Sequence, residues 1–317
     1  LCREQGVTHI VMEAAAQALT VHRLDTILFD TVVFTNFSLE HSEFYSSMDE
    51  YFTAKTHLFS LLSPDGLLIL NADDERVSQC LPAWPRRCTV SMHGKGTYSG
   101  TLIESTLSSL VVRVEREGES YTLSSPTLIG EFSAYNLLMA TAVVEQYDLT
   151  PLDIQEGLTT FEGVPGRTCR YALPNGAIAV IDNAHTPSSF EAVFSALRPL
   201  SKRIIAIFGA GGDRDALKRP LMGAIAEQYA DEIFLTTDNP RSEEALDIVH
   251  QIRAGMSGRT PVTIELDREQ AIRIAYAHSD ADTVLMLLGK GPVEYQHIKN
   301  QKIPFSEVAI LRSLRSE

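Results

Sequence analysis

A chain of 317 residues with 44% apolar content can bury two cores of roughly 150 residues each, and a formal charge of −14 excludes a protein built to coat phosphodiester backbones, which needs clustered Lys and Arg. Four scattered cysteines (Cys2, Cys80, Cys88, Cys169) form no CxxC pair, which argues against a zinc site or a disulfide framework. No stretch approaches the roughly 18–20 apolar residues of a membrane span, no basic-then-apolar leader is present, and a soluble cytoplasmic monomer is expected.

The chain opens at Leu1 and enters Thr8-His-Ile-Val-Met-Glu13, a pattern from the middle of a domain; an N-terminal portion is expected to precede it. Short apolar runs at Ile10–Met12, Thr31–Phe34 and Leu67–Leu70 alternate with amphipathic stretches such as Met48–Leu62, predicting a parallel sheet covered by helices. From Thr97 to Pro126 the period becomes two, with turn residues between, predicting antiparallel hairpins. Helices near Ser133–Gln146 and Pro151–Phe161 close this first unit, and Glu162-Gly-Val-Pro-Gly-Arg167 supplies linker breakers.

A second alternation follows, with strands at Ala177–Ile181, Ile204–Phe208, Glu232–Thr236, Val262–Leu266 and Thr283–Leu288. Helices at Ser188–Leu197, Pro220–Tyr229, Ser242–Ala254 and Arg268–Ala277 separate them, which predicts a doubly wound, Rossmann-like sheet. The expected domains are therefore 1–163 and 164–317.

Ligands of such sheets collect at the carboxyl ends of strands. There stand Glu13; Thr35-Asn36, with His41 beyond; Asp182-Asn-Ala-His185; Gly209-Ala-Gly-Gly-Asp-Arg214; Asp238-Asn-Pro-Arg241; and Gly289-Lys-Gly291. Glu13 and His41 pair a hard oxygen ligand with an imidazole, suited to a divalent ion beside a nucleotide, or they are a capping carboxylate and a loop histidine. Lys55 reads as a solvated helix-face residue. The glycines of 209–212 let backbone N–H groups approach an anion. Arg214 and Arg241 are each either a bidentate carboxylate clamp or half of a surface salt bridge. Gly94-Lys95 leads into hairpins and lacks the upstream glycine spacing of a phosphate loop.

Taken together, the segments Val33-Phe-Thr-Asn36, Met48-Asp-Glu-Tyr with Ala54-Lys55, Asn71-Ala-Asp-Asp74, Pro165-Gly-Arg167, Gly211-Gly-Asp-Arg-Asp215 through Lys218-Arg-Pro-Leu-Met222, Asp238-Asn-Pro-Arg-Ser-Glu243 and Gly289-Lys-Gly291 resemble the muramyl-peptide (Mur) ligase family. The resemblance is to the branch that adds a diamino acid to a UDP-muramyl dipeptide. It implies a fold class: part of a central ATPase domain (parallel sheet with helices plus a small antiparallel sheet), then a C-terminal Rossmann-like α/β domain. The uridine domain and the phosphate loop are absent from this span, so the chain alone is expected not to ligate.

In that family, ATP phosphorylates the D-glutamate carboxylate of the UDP-muramyl dipeptide, and the amine of the diamino acid attacks the acyl phosphate during cytoplasmic peptidoglycan precursor synthesis. By resemblance, Glu13 and His41 bind Mg2+, and Lys55 is a carbamylated catalytic lysine. Asn36, Asn136, Arg167 and Asp182 contact ATP, and Arg23 and His185 contact the muramyl dipeptide. Arg214, with a catalytic role as well, joins Asn239, Arg241, Gly289 and Glu294 in holding the diamino acid, meso-diaminopimelate by preference. No nucleic acid or membrane partner is implied.

Four segments depart from the pattern, one of them Glu40-His41 in place of the family's Asp-His around the metal histidine. The family's Glu-x-Ser-Ser-His reads Glu13-Ala-Ala-Ala-Gln17, deleting two hydroxyls and an imidazole. Its Asp-Tyr-Ala-His reads Asp182-Asn-Ala-His185, and its Gly-Lys-Gly-His-Glu reads Gly289-Lys-Gly-Pro-Val-Glu294, placing Val293 where an acid reads the distal amine. Lysine, ornithine or another diamino acid stays open as substrate. A folylpolyglutamate-synthase-like enzyme and a degenerate, non-catalytic scaffold are the rivals; Asp238-Asn-Pro-Arg241 opposes the first, and joint retention of Glu13, His41, Lys55, Arg214 and Arg241 the second.

Overall fold

The computed structural model describes residues 3–38, 44–79 and 84–314. The first unit contains α1 (Ala16–Thr20), β1 (Phe29–Phe34), α2 (Met48–Thr56), β2 (Leu62–Asn71), α3 (Glu75–Gln79), β3 (Arg87–Ser91), β4 (Tyr98–Ser105), β5 (Leu110–Arg116), β6 (Glu119–Ser125), α4 (Glu131–Val144) and α5 (Pro151–Thr160). Its six strands form one sheet in sequential order: β1 to β4 pair parallel, and β4 to β6 continue as an antiparallel meander. The predicted hairpins thus extend the parallel strands through hydrogen bonds from β3 to β4.

Local chemistry explains where the elements begin. The Ser47 hydroxyl accepts from Glu50 N at the start of α2, and Thr150 and Asp153 form a capping box around Pro151 at the start of α5. The predicted helix Met48–Leu62 ends earlier, at Thr56, with a 3-10 turn over His57–Leu61 before β2. The Asn71-Ala-Asp-Asp74 motif is a pair of backbone pins. Asp74 accepts from Phe37 N at 2.7 Å, and Asp73 accepts from Met92 N, Ser91 Oγ and Tyr135 Oη at 2.6–2.7 Å.

One predicted strand does not form. Residues 7–15 are irregular, and Ile10 and Val11 are 66% and 96% exposed. A strand exists only where a neighbour completes its ladder, and among the described residues β1 is the sheet's edge, paired only with β2.

The second unit contains β7 (Cys169–Ala172), β8 (Ile178–Asp182), α6 (Pro187–Leu197), β9 (Arg203–Phe208), α7 (Lys218–Tyr229), β10 (Glu232–Leu235), α8 (Ala245–Arg253), β11 (Val262–Ile264), α9 (Arg268–Ala277), β12 (Thr283–Leu288), β13 (Tyr295–Ile298), β14 (Gln301–Pro304) and α10 (Glu307–Ser313). Its sheet runs β11-β10-β9-β12-β8-β7, parallel except for β7. Strands β9 and β12 are almost entirely buried and read as unbroken apolar runs, as covering both faces demands.

Helices α6, α7 and α8 cover one face with Phe190, Phe194, Met222, Ala226, Val249 and Ile252, while α9 and α10 cover the other with Ile272, Ala275, Ile310 and Leu311. Phe190 packs on Phe208 at 5.0 Å between centroids, each ring contributing roughly 1.5–3 kcal/mol through burial. Leu107 and Phe132 of the first unit pack against the same cluster. This is the doubly wound topology expected from sequence, and insertion of β12 between β8 and β9 sets the carboxyl ends of four strands side by side.

Candidate functional site

The loops after β9, β10 and β12 form one stitched structure. The carbonyl of Asn239 accepts from Gly212 N at 2.9 Å, Glu243 Oε1 accepts from Asp213 N at 2.6 Å, and Asp213 accepts from the Ser242 hydroxyl and N–H. The Ser242 bonds hold the Asp213 carboxyl below the usual carboxylate range. Beneath the loop, fully buried Arg219 donates to both oxygens of Glu243, to Gln251 Oε1 and to the Gly211 carbonyl. The Lys218-Arg-Pro segment is thus a structural post for the glycine loop.

Arg214 and Arg241 both lie close to Gly211. A Cβ at that glycine would meet Arg241 Nη1 at 2.9 Å and Arg214 Cγ at an ordinary 3.6 Å, so the absent Cβ makes room for the Arg241 guanidinium. Burial, and then the neighbouring Arg214 charge, hold the Arg241 guanidinium below its ordinary pKa. One Arg241 N–H donates to the Gly212 carbonyl, and its backbone bridges to the β13–β14 hairpin through His297 and Lys299.

Asn239 is fixed from two directions: its Oδ1 accepts from His297 N at 2.8 Å and from Lys290 Nζ at 3.2 Å. Lys290 is fully buried, 4.0 Å from Asp238 and over the Phe305 ring, and burial lowers its pKa to about 8 despite that carboxylate. Deeper still, Arg268 donates to Glu307 Oε1 at 2.8–2.9 Å and to the carbonyl of Leu288. Burial raises the Glu307 pKa, and its Oε2 has no partner among the described residues. Gly289 adopts φ +102°, and any Cβ there would sit 2.5 Å from Asp238 Oδ2.

Asp182 ends β8 with both oxygens engaged: Oδ2 accepts from Thr168 N and Oδ1 from Ala184 N, each at 2.7 Å. Burial pushes its carboxyl above the usual range against the pull of those N–H groups and of Arg167. With the Asn183 amide oriented to satisfy its neighbours, its oxygen accepts from Arg167 Nη1 at 2.7 Å and its nitrogen donates to Gly289 O at 3.0 Å. His185 is exposed, its Nδ1 2.6 Å from Asn183 O.

The other predicted positions are spread over the first unit. Lys55 is half-buried on α2, its Nζ 5.3 Å from the Tyr51 ring centroid. Asn36 lies exposed beyond β1, Asn136 exposed on α4 and Arg23 exposed in the turn after α1. Glu13 is exposed on the irregular segment before α1, and His41 lies outside the described residues. By type, Glu13 suits a hard divalent ion, but it belongs to no converging group of His, Cys, Asp and Glu among the described residues. Glu294 is exposed and lines a groove with Glu269, Phe305, Ser306 and Arg312.

The sequence reading singled out Arg214, Asn239 and Arg241 but assigned no role to Arg219, Lys290, Arg268 or Glu307. Lys290 carried a legible signal, a cation between two glycines just beyond a buried strand; the pairing of Arg268 with Glu307, 39 residues apart, carried none.

Comparison with known proteins follows the same two-part division. Residues 1–144 match the model of the Mur ligase middle domain, and residues 166–291 match that of the Mur ligase, glutamate ligase domain. The chain belongs to the Mur ligase family. Among Mur ligases, the UDP-N-acetylmuramoyl-L-alanyl-D-glutamate–2,6-diaminopimelate ligase of Solibacter usitatus is 36% identical over 315 residues, covering 98% of this chain and 63% of that protein. The ligase of the same name from Aquifex aeolicus is 36% identical over 319 residues, covering 98% of this chain and 64% of its own length. A solved structure of a ligase of that name, 28% identical, superposes with a TM-score of 0.62 over 99% of this chain and 65% of its own. A Mur ligase crystallised with ADP, the MurF ligase of Thermotoga maritima, shares the fold at 15% identity and a TM-score of 0.69, over 86% of this chain and 60% of its own. The chain therefore spans a little under two thirds of these curated relatives. No described helix is long and apolar enough to cross a membrane.

Proposed function

We propose that this chain is the metal, lysine and amino-acid side of an ATP-dependent ligase that joins a diamino acid, meso-diaminopimelate, to the D-glutamate of UDP-N-acetylmuramoyl-L-alanyl-D-glutamate. The observation that carries the reading is the convergence of Arg214 and Arg241 on Gly211, the Arg214 charge acting on the Arg241 guanidinium, beside the immobilised Asn239. Two neighbouring cations favour an anion with a planar fork to share, and a carboxylate is that shape. Lys290 and His297 N occupy Asn239 Oδ1, which leaves the amide nitrogen as the side chain's donor for that ligand. The relatives named for diaminopimelate ligation favour this amino acid.

In this reading the chain's residues orient the incoming amino acid so that its amine meets an activated carboxyl group, a gain of proximity and charge placement. ATP, held by Asn36, Asn136, Arg167 and Asp182, supplies the phosphoryl group, and the UDP-muramyl dipeptide is contacted by Arg23 and His185. Glu13 and His41 remain the proposed magnesium donors, and magnesium would neutralise phosphoryl charge there. Lys55, half-buried against Tyr51, is the proposed carbamate, and mass spectrometry at high bicarbonate should show the added mass of one carbon dioxide on it. Cytoplasmic peptidoglycan precursor synthesis is the setting this activity implies.

Phosphate release over a panel of diamino acids, measured on the protein that carries this chain, tests the substrate. The expected result is preference for diaminopimelate, with Arg241→Ala losing it; a preference for lysine overturns the choice. Half-buried Val293, where an acid was expected, is the observation that favours that second reading.

A further inference from the structure

Away from the carboxyl-end loops, three ligand-type side chains converge where the turn after α1 meets the end of α2. His22 Nδ1 lies 2.7 Å from Asp25 Oδ2, His57 Nε2 lies 3.1 Å from Asp25 Oδ1, and all three ligand atoms fall within 4.8 Å of one another. The imidazole centroids are 5.5 Å apart and the rings nearly perpendicular. We propose that His22, Asp25 and His57 form a binding site for a borderline divalent transition-metal ion, with Zn2+ the natural occupant.

Hydrogen bonding favours a cation at this point. The Ser60 hydroxyl donates to the His57 carbonyl at 2.7 Å, so its oxygen, 3.3 Å from His57 Nδ1, is left to accept from that ring nitrogen. With the ring proton assigned to Nδ1, the Nε2 lone pair faces Asp25 Oδ1, an arrangement that a shared cation, a proton or a metal ion, satisfies. A ring nitrogen bonded behind the ligating one is also the outer-shell arrangement that orients metal-binding histidines.

The spacing fits. Ligand atoms around a tetrahedral ion with bonds of about 2.0–2.1 Å stand about 3.3 Å apart, so admitting the ion widens the 2.7 Å and 3.1 Å contacts to Asp25 and draws together the two imidazole nitrogens, which lie within 4.8 Å of one another. Two imidazoles and one carboxylate match the donor preference of zinc, and solvent exposure leaves coordination positions for water.

The backbone prepares the geometry at both ends. His22 adopts φ +56°, a left-handed conformation rare for a side-chain-bearing residue and held by Arg23 N donating to Ala18 O. Leu24 anchors the same turn by packing with Leu61 and Leu58, just beyond His57. Metal here would clip the turn bearing Arg23 to the end of the helix bearing Lys55, two elements with no covalent reason to move together.

The test is Zn2+ titration of the 317-residue chain against a chromogenic chelator, with excess Mg2+ present to saturate oxygen-only sites. One equivalent is expected, with His22→Gln and His57→Gln each weakening it at least tenfold while thermal midpoints without metal stay near the parent's. In the unsubstituted chain, the imidazole 15N resonances of His22 and His57 should shift on zinc addition, a readout independent of whether the variants fold. Co2+ should give the visible absorption of a low-coordinate site. Unchanged stoichiometry and affinity in both variants, or zinc binding without movement of those two imidazole resonances, overturns the proposal.

Discussion

Arg219 and Glu243 meet through two near-parallel hydrogen bonds, Nη1 to Oε2 at 2.7 Å and Nη2 to Oε1 at 2.8 Å, with the arginine wholly buried. The same guanidinium reaches the Gly211 carbonyl, so a single side chain joins α7 to both loops that carry Arg214 and Arg241. Removing the arginine loses charge-assisted hydrogen bonds from Glu243, whose side chain is 31% exposed, at a cost of about 1.5–3 kcal/mol. Arg219→Met should lower the urea midpoint accordingly and weaken amino-acid binding through the two loops it joins. Arg219→Lys, which cannot span two carboxylate oxygens, should recover only a minority of the loss.

At Gly289 the expected effect is local strain. Gly289→Ala places a Cβ 2.5 Å from Asp238 Oδ2 in a φ +102° conformation that L residues avoid, costing about 1–3 kcal/mol. Displacing Asp238 also shifts the next residue, Asn239, so the Michaelis constant for the amino acid should rise more than that for ATP. Equal changes in both would show that the glycine serves only the fold.

Lys290 makes stability depend on alkaline pH. Its folded pKa, lowered by burial to about 8, lies below the ordinary lysine value of 10.5, so between these two values the unfolded chain holds the proton that the folded chain has lost. Stability from this group therefore rises as pH goes from 8 to 10.5, is fully present above 10.5, and is lost again as pH falls through 8. Urea unfolding at pH 8, 9 and 10 should show a more positive slope for the parent than for Lys290→Met.

Glu227 acts in the acid range. Although buried, it accepts from the N–H groups of Ser257, Gly258 and Arg259 and from the Ser257 hydroxyl, bonds that outweigh burial and lower its pKa to about 2. A folded pKa below the ordinary glutamate value of 4.5 means its contribution is present above 4.5 and lost as pH falls from 4.5 to about 2. Glu227→Gln should cost about 2 kcal/mol at pH 7, as hydrogen bonds to a charged group do, and should flatten stability over that acid window.

Much of this protein was legible before any coordinates. Thr186-Pro187 and Thr150-Pro151 announce capped helices, the unbroken apolar runs of β9 and β12 announce strands buried on both faces, and Gly-Gly-Asp-Arg with Asp-Asn-Pro-Arg announces the arginine pair. These features are local: caps, periods and loop glycines are decided within a few residues. Tertiary structure decided what pairs with what. The same apolar character that makes β9 a strand left Ile10 and Val11 exposed, because no ladder partner reaches them among the described residues. Insertion of β12 between β8 and β9 carried Lys290 to Asn239 across 51 residues, and folding of the α1 turn onto the end of α2 carried His57 to Asp25 across 32. Periodicity tells each segment which face to hide; only the packed chain decides which neighbour hides it, and so which charges must share a buried space.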